Sequence, residues 1–422
     1  MSTEGLVRGA GSAFERVTRG APELVHVESR AGRERGVVLG VTSKLERIYD
    51  GYVIDVDVHE RWQSAAEIIE RMPRRWQEYA EGLDGGTRAA LMPAGLTYPF
   101  QRGIGKRLEA LPPDGWRTGP DYELFRDQLL DPHPIAYANL AFDIGQEVTQ
   151  KNPYFASAIA SAMNDWVLET WIPRDERLRT VIVIPTELPD DAVREIHRLG
   201  GHPAVTGVLF SWNGFGKPLG HPVYDPIYRA ADEMGLPIVI HGAAGETEGG
   251  SAHTAAGGIP NARLEWHTLL QQPTLTHFAS FVAHGTFEKF PRLKMLVTET
   301  GIAWVPGYLW SLDAHYDVFR AESSQVRQLP SEYFRQHIKL STQPFELTPR
   351  KEQLIELLEA FGGMEELLCF SSDYPHWDAD EPFAVASRIP KSWLPKVFYE
   401  NAASMLGLPP ADKPSELEVT SA

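Results

Sequence analysis

Cysteine is nearly missing from this chain: the single Cys369, inside the run LLCF, excludes a disulfide framework and a thiolate metal cluster. Its apolar neighbours mark it as a packed strand residue. Basic charge is also scarce, with Lys and Arg totalling 40 against 57 Asp and Glu, for a formal charge of −17. Such a balance opposes a surface for phosphate backbones, so nucleic acid is not an expected partner. Long apolar runs are absent too: no stretch approaches the ~20 residues that cross a bilayer. The opening MSTEGLVRGAGSAFERVTRG lacks the apolar centre of a signal peptide. A cytoplasmic protein without a membrane partner is the expectation.

What is present is enough for a large core, since 43% of the 422 residues are hydrophobic. Residues 1–50, rich in Gly, Arg and Glu with little periodicity, read as an N-terminal arm, and 409–422 as a solvated, disordered tail. Between them, over 51–408, a short β-branched run, a turn and a helical stretch recur, which is the signature of βαβ units.

The runs fall in order. YVIDVDVH (52–59) is a first strand, followed by a cap insertion over about 61–135. NLAFDIG (139–145) is a weaker second strand, with a helix predicted from Tyr154 to Trp171. RTVIVIP (179–185), VTGVLF (205–210) and LPIVIHG (236–242) are near-continuous apolar runs, as strands covered on both faces should be. A Gly-, Ala- and Thr-rich insertion spans about 245–262, after which LKMLVTETG (293–301), IKLSTQPF (338–345) and ELLCFSSDYPHWD (366–378) bring the strands to eight. Eight such units without a G-x-G-x-x-G after the first strand predict an α/β fold, a (β/α)8 TIM barrel, over a dinucleotide-binding sheet.

Reactive side chains of such barrels collect where the strands end. The first strand ends in Asp57-Val58-His59-Glu60, and period-two alternation turns Asp57 and His59 the same way. His241 closes the fifth strand, Glu299 the sixth and Asp373 the eighth, with His376 close behind. Two imidazoles and three carboxylates at one barrel mouth suit a borderline-to-hard divalent cation such as iron, manganese or zinc. Any one of these residues alone is as readily a cap or a satisfied polar group; their coincidence at strand ends carries the reading. Asp373, His376 and Glu299 are also the candidate catalytic groups. His376, placed after Pro375, suits either ligation or orienting Asp373. Glu60 and His284 are candidates for a supporting role or ligation, whereas His253, His267 and His277 read as surface or packing residues. Trp212, Phe215, Trp304, Phe345 and Trp377 crowd the same loops. Large aromatics there often just pack; if they line the cavity, the substrate is bulky and apolar.

The motifs DVDVHE, NDW (164–166), IHG (240–242), FEKFPRLKMLVTETGIAWVP (287–306) and FSSDYPHWD (370–378) together resemble the amidohydrolase-related family that includes aminocarboxymuconate-semialdehyde and resorcylate decarboxylases. The likeness runs over roughly 52–405 and implies a single metal on Asp57, His59, His241 and Asp373. Two departures stand out: Asp57 occupies the first position of the usual H-x-H pair, and Glu299 a position where many members carry His. Both put oxygen in place of nitrogen and make the site harder. The fourth strand, VTGVLFSW, has no lysine for a carbamylated bridge between two ions.

A carboxylate-rich centre among aromatics also resembles the TIM-barrel nonheme diiron monooxygenases of diterpenoid biosynthesis. That likeness implies Glu299 or Asp373 bridging two irons, hydroxylation of a bulky substrate and, for some members, an acyl-CoA partner. A diiron monooxygenase is the leading expectation, a mononuclear metal-dependent decarboxylase or hydrolase the alternative, and a binding barrel without catalysis a third. A homodimer is compatible with each.

Overall fold

The computed structural model describes residues 44–91, 106–111, 119–142, 148–150, 152–210, 214–241 and 262–411, all within the unit Thr42–Ala422. The expected arm before Lys44, most of the 245–262 insertion and the tail beyond Ala411 lie outside the described residues.

Short β-branched stretches alternate with amphipathic ones, and each finds its period. The strands are β1 (Val53–Val58), β2 (Ile135–Leu140), β3 (Leu178–Val183), β4 (Val205–Phe210), β5 (Ile238–His241), β6 (Met295–Thr298), β7 (Ile338–Ser341) and β8 (Leu368–Cys369). They form one eight-stranded sheet in sequential order, and every described pairing is parallel. β1, β2 and β4 are buried at every position, as strands with a packed interior and a helical exterior must be. β8 is only two residues long by its ladder, yet the chain beyond it closes the barrel on β1. Val56 N–H donates to Phe370 O (3.1 Å), Asp373 N–H to Asp57 O (3.0 Å) and His59 N–H to Tyr374 O (2.8 Å). The result is a (β/α)8 barrel.

β2 differs from its expected position. The apolar stretch 135–141 starts earlier than the predicted 139–145, and pairing of Val53 with Ile135 selects that earlier register. The shift trims the cap, whose described parts are short helices at Ala66–Ile69, Arg74–Glu81, Gly86–Ala90 and Tyr122–Phe125.

Seven helices of the outer layer are α1 (Pro153–Thr170), α2 (Pro189–Leu199), α3 (Asp225–Met234), α4 (Gln271–Ala283), α5 (Val305–Phe319), α6 (Pro330–His337) and α7 (Glu352–Phe361). α1 begins where it should: Asn152 caps Tyr154 N (3.1 Å) and Phe155 N (3.3 Å), with Pro153 at the first turn. In its NDW segment, the buried Asn164 exchanges hydrogen bonds with both backbone groups of Val183 (2.9 Å each) and donates to Glu195 of α2 (2.8 Å). Trp166 donates its indole N–H to Glu67 in the cap (2.8 Å). One helix turn therefore ties α1, β3, α2 and the cap together. Leu45, 1% exposed, and Tyr49, whose ring lies 5.5 Å from that of Phe398, pack the chain's first described residues onto the barrel.

Candidate metal centre

The interior side chains of β1 are set by its pleat: Asp55, Asp57 and His59 follow one another at period two and are all buried. His59 Nε2 lies 2.8 Å from Asp373 Oδ1 and 4.0 Å from Asp57 Oδ1. His241, the last residue of β5, brings Nε2 to 3.2 Å from Asp57 Oδ2. His376 Nδ1 is 2.6 Å from Asp373 Oδ1. The imidazoles crowd together, with ring centroids 5.3 Å apart for His59 and His241 and 4.6 Å for His59 and His376. Two groups, Asp57-His59-His241 and His59-Asp373-His376, each bring one potential ligand atom per residue within 4.8 Å of one another.

The backbone is bent to allow this. Glu299 and Asp373 are non-glycine residues with φ of 56° and 59°. That left-handed conformation costs about 1–2 kcal/mol for residues with a Cβ and gathers at functional sites. It is enforced by Ser341 Oγ accepting from Glu299 N (3.1 Å) and by the closing bond from Asp373 N to Asp57 O. Gly301, at φ 67°, is different: a side chain there would strike the Glu346 carboxylate, which accepts from Ile302 N and Ala303 N (2.8 Å each) ahead of α5.

Electrostatics favour a cation. Burial alone would raise the Asp57 carboxyl, but His241 and His59 outweigh it and hold it below the usual carboxylate range. Burial would lower His241; the Asp57 and Glu299 charges overcome it and raise the imidazole. Glu299 is pushed well above its ordinary value by burial and by the Asp373 charge. The fully buried Asp57 carboxylate sits against His241 Nε2, 3.2 Å from Oδ2, and near the Thr298 hydroxyl, with a second imidazole and two further carboxylates close by. Several buried carboxylates and imidazoles packed this closely are costly unless a cation meets them, so these residues fit a divalent metal. Asp57, His59, His241 and Asp373 could hold it.

Glu299 stands behind His241. Its Oε2 lies 3.4 Å from His241 Nδ1, on the far side of the ring from Asp57. A carboxylate behind an imidazole fixes which nitrogen faces the metal and raises its basicity. His59 belongs to both candidate groups, and a neutral imidazole nitrogen offers one lone pair. The described residues therefore form one shared cradle, against the two-iron arrangement.

The remaining expectations scatter. Glu60 is buried and accepts from Phe142 N (3.2 Å), bracing the end of β2 at a residue with φ 50°. His284 is exposed at the end of α4, its ring 5.7 Å from that of His221, where the chain turns toward the start of β6 and away from the mouth. Trp304 sits in the helical layer, donating to the Thr300 and Gly301 carbonyls (3.1 and 3.0 Å) and packing on Tyr308 and Phe334. Phe345 is buried, Phe215 is half-exposed against Tyr224, and Trp377 is half-exposed with its ring 5.4 Å from that of His267. Trp212 and His253 lie outside the described residues. His277 is a packing residue, accepting from Leu219 N (3.2 Å).

Several polar residues at the mouth, Asp55 and Lys106 among them, have no counterpart among the sequence expectations, and His267 reads there only as a surface or packing residue. Asp55 accepts from Ser372 N (2.9 Å) and is pushed up to about 7 by burial. Extending the period-two pattern of Asp57 and His59 by one step would have found it. His267 is bound to Asp378 (2.9 Å), which also accepts from Gln343 (3.2 Å). Lys106, 4% exposed, brings Nζ to 3.3 Å from His376 Nε2.

Comparison with known proteins bears on the chemistry. A family model described as amidohydrolase matches residues 54–408. The gamma-resorcylate decarboxylase of Rhodococcus jostii (strain RHA1) is 26% identical over 313 residues, covering 68% of this chain and 88% of that protein. Among solved structures, 5-carboxyvanillate decarboxylase from Novosphingobium aromaticivorans, complexed with manganese and 4-hydroxy-3-methoxy-5-nitrobenzoic acid, superposes with a TM-score of 0.63 at 18% identity, covering 88% of this chain and all of that one. A 2,6-dihydroxybenzoate decarboxylase complexed with 2,6-dihydroxybenzoate gives a TM-score of 0.55 at 18% identity, over 85% of this chain and 99% of that one. These structural likenesses concern the fold.

The expectation of a diiron monooxygenase is overturned. The curated relatives it matches are gamma-resorcylate decarboxylases, which are not oxygenases. Iron gains no support from these findings, and among the described residues the two candidate ligand groups share His59. The acyl-CoA partner and the homodimer gain nothing from these findings. Among the described residues no helix is long and apolar enough to cross a membrane.

Proposed function

The chain belongs to the amidohydrolase family, and from that premise we propose that it is a mononuclear, divalent-metal-dependent decarboxylase of hydroxylated aromatic acids, with manganese as the metal. One observation carries the reading: the fully buried Asp57 carboxylate faces His241 Nε2 at 3.2 Å, beside the His59–Asp373 pair, so that ligand atoms of these residues converge. The decarboxylase relatives, 26% identical or less, support the reaction class. β4 (Val205–Phe210) carries no lysine, which disfavours the bridged two-metal hydrolysis of the wider superfamily.

In this reading Asp57, His59, His241 and Asp373 hold the cation. When bound, it supplies a positive charge that fixes the substrate oxygens and stabilises charge developing on the ring. Glu299 keeps the His241 ring oriented through Nδ1. Loss of CO2 from an aromatic acid needs a proton at the ring carbon that bears the carboxylate; the C–H bond forms there and the pair of the breaking C–C bond returns to the ring. In this reading Asp373 delivers that proton and His376, whose Nδ1 is 2.6 Å away, replenishes it. Burial of Asp373 keeps competing water from the transfer.

The reading is tested by loading the purified protein with manganese and supplying 2,6-dihydroxybenzoate or 5-carboxyvanillate under strict anaerobiosis. Release of CO2 and the corresponding phenol supports it. Turnover that requires oxygen, or no release from any ortho-hydroxylated aromatic acid, overturns it.

A further inference from the structure

The segment at Lys106 crosses the mouth beside the chain that follows β8. Lys106 forms an antiparallel bridge with His376, and Arg107 N–H donates to Pro375 O (2.9 Å). The Arg107 guanidinium extends the strap to Ala379 O (2.8 Å) and Glu381 Oε1 (3.1 Å). The lysine stem lies against Gly119, where a Cβ would sit in ordinary contact with Lys106 Cε at 3.7 Å. The ammonium is thus held in place, 4% exposed and 3.3 Å from His376 Nε2.

We propose that Lys106 is the specificity residue that recognises the carboxylate of the substrate, an inference that rests on the aromatic-acid reading above. The cluster beneath it is built of imidazoles and carboxylates, in a chain of net charge −17. An anion entering such a mouth is repelled unless a fixed positive charge meets it. Lysine has three N–H donors, so pointing one at His376 Nε2 is compatible with directing another at a substrate oxygen. With Lys106 donating to Nε2, His376 carries its proton on Nδ1, toward Asp373. Lys106 then does two things at once: it seats the acid and sets the histidine tautomer that faces the proton donor.

The test is calorimetric binding of 2,6-dihydroxybenzoate and the uncharged 2,6-dihydroxybenzamide to the manganese-loaded protein, compared with Lys106→Met and Lys106→Arg. The expected result is a ~10- to 100-fold weaker Kd for the acid in Lys106→Met, with the amide changed by less than about threefold, and recovery of most of the acid preference in Lys106→Arg. Manganese content and thermal midpoint report whether Lys106→Met is folded; if it is not, Lys106→Gln takes its place. Equal acid affinity in the neutral variants, or equal weakening of acid and amide, overturns the assignment. Should the wild type bind neither compound, the functional reading fails separately. Lys106 is then judged with formate: weaker formate binding in Lys106→Met upholds it, and unchanged binding overturns it.

Discussion

The backbone N–H of Asp373 donates to the carbonyl of Asp57 at 3.0 Å, so the hydrogen bond that helps close the barrel joins two residues of the candidate metal centre. Their side chains meet the same imidazole, His59, at 2.8 and 4.0 Å. The seam of the sheet and the cradle for the cation are one piece of structure. Ligand positions are consequently as rigid as the ladder itself, which is what a preorganised site needs.

Glu299→Gln should leave the metal stoichiometry unchanged and weaken metal affinity by about 10- to 100-fold, because its carboxylate orients His241 from behind. Metal titration of the variant checks this. Loss of an entire bound ion with retention of another would show that Glu299 bridges two.

His241→Ala should lose metal by a larger factor while its far-UV spectrum stays that of the wild type, since His241 is the terminal residue of β5 and its ladder bonds are backbone bonds. Wild-type metal content in the purified variant would contradict the assignment.

Much of this was legible in the chain. Continuous apolar runs mark strands buried on both faces, and the period-two pleat carries Asp57 and His59 to one side. What could not be read has a common cause: contacts between distant segments. Lys106 meets His376 across 270 positions and His267 meets Asp378 across 111, and no local pattern encodes either. β2 was misplaced because two apolar stretches adjoin and only pairing with β1 chooses between them. Trp304 reads as a mouth residue from its place after β6, but its indole N–H finds the Thr300 and Gly301 carbonyls and turns it into the helical layer.

Asp380 offers a test in pH. Burial pushes its carboxyl up to about 7 from the usual 3.8. Ionisation is therefore easier unfolded than folded: the stability that Asp380 contributes is fully present below about 3.8, declines as pH rises toward 7, and is flat above. Asp380→Asn keeps an acceptor for Phe345 N (2.8 Å) without the charge. Its thermal midpoint should exceed that of the wild type by several degrees at pH 8, and the difference should shrink toward pH 4.5. A variant less stable at pH 8, or a gap independent of pH, would refute the argument.

Asn164→Ala should cost about 2–4 kcal/mol in denaturant unfolding, since it strands both backbone groups of Val183 and exposes Glu195 to loss of a donor. Metal affinity should change little, because Asn164 lies on α1 behind β3. A loss below about 0.5 kcal/mol would mean that the NDW turn is not the clip described.

The most direct test of the whole account is a manganese titration of metal-free protein, read by electron paramagnetic resonance and elemental analysis at pH 8. One ion per chain, abolished in His241→Ala and retained in Glu299→Gln, is the predicted result. Saturation at two ions, or no specific binding at all, would contradict a single cation held between β1, β5 and the chain that follows β8.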